Sequence, residues 1–147
     1  MSTIPKAKTE QAAIMVKLSD TTLGFANEGE DIRGRKVYDN NGEEIGEVND
    51  LFIDQPEAKA RFLEVTSHGF LGLGKTTFLI PVDDIASISS DEVRISKTRE
   101  HVAGAPTYSP ELLDRQFVTN MYGYYGYSPY WEEGYVKPSY SYYPPLL

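Results

Sequence analysis

The chain has 147 residues, 40% of them hydrophobic and 24% charged, the make-up of one globular unit with extensions. Its formal net charge is -8 and its pI ≈ 4.7, so it repels phosphate backbones and anionic lipid, and a basic protein or a cation is easier company than nucleic acid. With no cysteine, disulfides, zinc–thiolate sites and thiol catalysis are excluded.

Residues 1–30 read as a polar leader. Its short apolar patch, Ile14-Met15-Val16 and Leu18, suits either an edge strand or a short helix. No stretch approaches the roughly 20 apolar residues that cross a bilayer, and the run Ala12 to Val16 is too short for a signal-peptide core. A soluble, cytoplasmic protein without membrane insertion is expected.

Residues 31–98 read as mainly β. Lys36-Val37-Tyr38 precedes Asp39-Asn40-Asn41-Gly42, a hairpin turn, because Asn and Gly tolerate positive φ. Ile45 to Val48 leads into Leu51 to Asp54, and Gln55-Pro56-Glu57-Ala58 breaks that strand. Further strands are expected at Arg61 to Ser67, Thr76 to Val82, Ile85 to Ile88 and Val93 to Ile95. Short strands joined by short turns predict a small six-stranded antiparallel β-barrel. Strand parity adds a detail. Leu63 and Val65 share one face while Phe62 lies on the other, and Leu79 opposes Phe78 and Ile80. A barrel with a wet exterior alternates more cleanly, so part of the outer wall, with Phe62, Leu79 and Phe52, is expected to be covered by the C-terminal extension or by another chain.

Residues 99–147 read as a linker to residue 108, a short helix, and a Tyr- and Pro-rich extension. Ser109-Pro110-Glu111 is a helix-start signal, Leu113 and Phe117 share a helical face, and Gly123 is a candidate stop. Nine of the 11 tyrosines and the single Trp follow residue 121. Three fates are open for this segment: an arm docking on a partner or a second copy, a tail wrapping its own barrel, or disorder. Partner contact is expected at Phe62 on the outer wall, at Phe70 and Leu71 in the glycine-rich turn, and at Tyr124, Tyr125, Tyr127, Tyr130 and Trp131 in the arm.

Gly69-Phe70-Leu71-Gly72-Leu73-Gly74-Lys75-Thr76 fits the nucleotide-binding pattern G-x-x-x-x-G-K-[ST]. That loop must open a helix whose N-terminal amides hold phosphate. Here Thr76-Thr77-Phe78-Leu79-Ile80-Pro81-Val82 follows, β-branched and with a proline in the would-be second turn. A glycine-rich hairpin crossing is the better reading, and a nucleotide-dependent switch the weaker alternative. His68 and His101 lack ligand-spaced partners; His68 reads as a polar turn residue. The acidic stretch Asp39, Glu43, Glu44, Glu47, Asp50 and Asp54 lacks cation-loop spacing and reads as a solvated hairpin face. With no triad or nucleophile elbow, neither catalytic nor metal nor cofactor residues are assigned, and a non-enzyme is expected.

The blocks Asp31 to Asp39, Gly42 to Asp50, Arg61 to Val65, Gly69 to Gly74 and Leu79 to Ile85, in this order, resemble the PRC-barrel family. The resemblance covers about residues 30–98. It implies a small, strongly bent six-stranded barrel that docks or assembles rather than catalyses. The family includes the cytoplasmic domain of the photosynthetic reaction-centre H subunit and the C-terminal barrel of a ribosome maturation factor. By that resemblance the chain looks like a stand-alone interaction module, and its two-sided apolar strands and aromatic tail lead to the expectation that it self-associates. The alternative the resemblance implies is an accessory role in photosynthetic electron or proton transfer, with the acidic cluster relaying protons.

Overall fold

The computed structural model describes residues 13–69, 74–109, 113–136 and 142–147. Seven strands form one mixed sheet: β1 (Val16–Lys17), β2 (Lys36–Tyr38), β3 (Glu44–Asp54), β4 (Lys59–His68), β5 (Lys75–Pro81), β6 (Ile85–Ile88) and β7 (Glu92–Ile95). They run in the order β5-β4-β3-β2-β7-β6, with β1 beside β3. Among the described residues two α-helices follow, α1 (Arg99–Ala103) and α2 (Arg115–Tyr125).

The sheet departs from the expected all-antiparallel six-stranded barrel in three ways: an added strand, a parallel pair and an open rather than closed path. The leader adds β1, antiparallel to the end of β3 through Val16 opposite Ile53. And β7 lies parallel to β2, with Lys36 opposite Glu92. The crossover that a parallel pair requires is here the whole β3–β6 excursion, so nothing local in the sequence announces the pairing. The sheet is an open path, and no ladder joins β5 to β6 among the described residues. The chain turns between them through one 3-10 turn, Val82–Asp84.

Irregular positions in the β3–β4 ladder re-aim side chains, as bulges do. Asn49 is the extra residue between the pairs Val48–Val65 and Asp50–Glu64. Arg61 is the extra residue between Phe52–Phe62 and Ile53–Ala60. The close approach of β3 to β4 also fixes Gly46, because an added Cβ would stand 2.2 Å from the Thr66 carbonyl oxygen.

β4 is buried from Ala60 through Val65, on both faces. The cover over Phe62 is the chain itself. The α2 residue Tyr122 lies with its ring centroid 4.9 Å from that of Phe62, and Val118, Met121, Tyr122 and Tyr125 are all fully buried. Burial of Val118 and Met121 is worth about 1.5–3 kcal/mol each. Phe52 meets a second cover, the edge of Tyr108 at 5.7 Å.

The helices differ from the sequence expectation at their ends. The segment read as a linker holds α1, capped by the Thr98 hydroxyl accepting from the His101 amide. The cap of α2 is Asp114, which accepts from Phe117 N at 2.8 Å. Ile14 N donates to Leu113 O at 2.9 Å, which ties residue 113 to the extended leader and starts the helix after it. Pro110 and Glu111 lie outside the described residues. Gly123 sits inside α2; the stop is Gly126, left-handed at φ 86, with Tyr127 N closing onto Tyr122 O.

Candidate functional site

After Gly126 the described residues 127–136 and 142–147 form a belt against the sheet, and tyrosine hydroxyls fasten it. Tyr127 donates to Asp84 Oδ1 and Tyr135 to Asp83 Oδ2, both at 2.5 Å. The Arg61 guanidinium carbon lies over the Tyr130 ring, 3.9 Å from its centroid. Trp131 meets Tyr130 edge-on at 5.0 Å and carries Arg115 at 4.4 Å. Tyr143 lies 5.6 Å from Arg61 and 5.2 Å from Lys59. Tyr142 donates to Glu30 O. Finally Leu147 and Gly24 exchange both backbone hydrogen bonds, and Leu146 bridges Phe25.

Under the belt lies a charged floor. Asp84 is fully buried and accepts from Ser96 N, Lys97 N, Lys97 Nζ and Tyr127 OH. Arg61, aimed by its bulge, pairs with Asp54 at 3.3 Å and Glu57 at 3.2 Å. Burial pushes the Asp83 carboxyl above the ordinary carboxylate range, against the Tyr135 phenol and Arg61, which pull it down. Burial likewise pushes up the belt phenols, Tyr130 to about 12 and Tyr127, Tyr135 and Tyr142 with it, and also the α2 phenols of Tyr122 and Tyr125. Tyr127, Tyr135 and Tyr142 therefore remain hydroxyl donors to their partners at physiological pH.

The PRC-barrel domain family is matched over residues 26–102, just over half of the chain. The chain belongs to the PRC-barrel family. No curated protein matches it. In this PRC-barrel protein the match ends within α1, so α2 and the belt lie beyond the family's own region. The family suggests a protein-interaction module.

Of the residues expected to meet a partner, Phe62 and Tyr125 are fully buried inside the chain. Tyr124, Tyr127, Tyr130 and Trp131 are partly buried; Tyr124 stacks on His101 at 4.3 Å and donates to its carbonyl. Phe70 and Leu71 lie outside the described residues. Lys75 opens β5, opposite His68, so the helix N-terminus that a phosphate loop needs is replaced by a strand. The two side chains line an open hollow of ≈ 540 Å3 with Lys17, Glu47 and Glu64.

The acidic stretch is not a uniformly solvated face. Asp39, Asp50 and Asp54 are buried, each with its own structural task. Asp39 accepts from the amides of Asn41, Glu43 and Arg99; burial pushes its carboxyl up, but these amides outweigh that and hold it below its ordinary value. Asp50 accepts from Ser19 N and Oγ. Asp54 takes Arg61. Glu44 and Glu47 are exposed. Among the described residues no group of three or more His, Asp or Glu is arranged to hold a metal, and no helix is long and apolar enough to cross a membrane.

Sequence reasoning missed the floor of the site. The available signals are Arg61, a charge beside the apolar run Phe62-Leu63, and Asp83-Asp84, a paired acid directly after a core strand.

Proposed function

We propose that this protein is a non-catalytic interaction and assembly module that associates with copies of itself through its tyrosine belt. The observation that carries the reading is the chemistry of the belt contact. Tyr, Trp and Arg dominate it, with charge-assisted hydrogen bonds, and these are the residue types enriched where separate proteins meet. Wall and arm are the two halves of one contact. Within one chain they engage each other; in assembly the arm of one copy reaches the wall of the next, an exchange of identical elements. The family match and the acidic surface, which suits a protein partner better than nucleic acid, support the same direction.

Light scattering behind size-exclusion chromatography, on the full chain across a concentration series, tests this. A dimer or higher oligomer that grows with concentration is expected, lost when Tyr127, Tyr130 and Tyr135 are replaced together by Ala. A full-length chain that stays monomeric at every concentration, and exchanges no subunits with a differently tagged copy, rejects it.

A further inference from the structure

The belt seam contains three buried polar atoms without a protein partner: Arg61 Nε, Asp83 Oδ1 and Tyr122 OH. Their residues are 4%, 7% and 0% exposed. An unpaired buried polar group is costly, and three in one place form a pattern rather than three accidents. They come from three elements that converge. Arg61 precedes Phe62, which pairs with Pro81, and Asp83 follows Pro81 by two residues. The Tyr122 ring packs on Phe62 at 4.9 Å and meets Tyr130, the ring on Arg61, edge-on at 6.3 Å. The charges of Asp83 and Arg61 both act on the Tyr122 phenol.

Their neighbouring atoms are already engaged. Arg61 Nη2 serves Asp54 and Glu57, and Asp83 Oδ2 takes the Tyr135 phenol. The ion pairs of Arg61 go to those two acids and not to Asp83. What remains is one obligate donor, the Nε–H; one obligate acceptor, the carboxylate oxygen; and one phenol that can do either. We propose that a single internal water molecule joins Arg61 Nε, Asp83 Oδ1 and Tyr122 OH beneath the belt. It accepts from Arg61, donates to Asp83 and accepts from Tyr122, three hydrogen bonds, the usual number for a buried water. Arg61 and Asp83 are then a water-bridged ion pair, with α2 supplying the third hydrogen bond. The inference stands on the single chain and does not depend on self-association.

Tyr125 provides the internal control. Its hydroxyl is also buried and unpaired, but its ring lies against His101 and Tyr124, and Asp84 rather than Asp83 or Arg61 is the charge that acts on its phenol. Removing an orphaned hydroxyl relieves a cost, whereas removing one that binds water breaks a bond. Tyr122→Phe is therefore expected to raise the unfolding equilibrium constant by about three- to tenfold, while Tyr125→Phe leaves it unchanged or lowers it. An atomic-resolution crystal structure of the full chain is expected to show one density peak within hydrogen-bonding distance of all three atoms. Either of two results overturns the proposal: Tyr122→Phe at least as stable as the parent, or a map in which that position holds no peak.

Discussion

Helix α2 and the belt that continues from it are joined at Gly126, yet they hold to the sheet by different means. The helix presents Val118, Met121, Tyr122 and Tyr125, all fully buried, and behaves as core. The belt presents Tyr127, Tyr130, Trp131 and Tyr135, partly exposed and tied by hydroxyl and cation contacts. Apolar burial is non-directional and cooperative with the rest of the core, whereas the belt's directional bonds can be undone one at a time. A left-handed glycine separates the part held by apolar burial from the part held by directional polar contacts.

The contrast breaks first at Met121. Met121→Ala is expected to lower global stability by about 2–5 kcal/mol in urea unfolding; a loss below 1 kcal/mol would move α2 into the belt's class. Asp84→Asn comes next, because it removes the charge that Lys97 and Tyr127 share. A loss of about 1.5–3 kcal/mol is expected, and hydrogen exchange should show it in both the belt and the Ser96–Lys97 amides. Tyr127→Phe is smaller, about 1 kcal/mol, and should appear as faster exchange in residues after Gly126 with α2 unchanged. Equal acceleration in α2 would show that helix and belt open together.

The smallest effect is a pair of opposite pH responses. The Asp39 carboxyl is held below its ordinary value, so its stabilisation is complete above about pH 4, the unfolded-chain value, and is lost as pH falls below that. The Asp83 carboxyl is raised, so its charged form costs stability at neutral pH, and that cost disappears as pH falls through the raised value toward about 4. Mild acidification should therefore tighten the belt before stronger acid loosens the β2–β3 hairpin. Asp83→Asn should abolish the first response in a pH series of exchange rates and leave the second.

Much of the sheet was legible because its signals are local. Asn and Gly at residues 39–42 specified the hairpin, and Pro81 ruled out a helix after Lys75. The covered wall was legible from strand parity at Phe62, although the sequence left its cover open between this chain and another. What escaped was non-local. The parallel β2–β7 pairing depends on how a long excursion folds back. The helix-start signal Ser109-Pro110-Glu111 runs outside the described residues, and α2 begins past it at its own cap, Asp114, just after Leu113, whose carbonyl takes the Ile14 amide. α1 is five residues long, too short for periodicity to reveal. Buried Asp39, Asp50 and Asp54 look like surface acids in one dimension, since only the fold brings them their amides, hydroxyls and arginine.

Leu147 is hydrogen-bonded in both directions to Gly24, more than a hundred residues earlier in the chain. During synthesis the sheet emerges first and can form while the tyrosines are still being added. Its charged floor, Arg61 with Asp83 and Asp84, is then bare until the residues from Tyr127 onward follow it and lay their phenols over it.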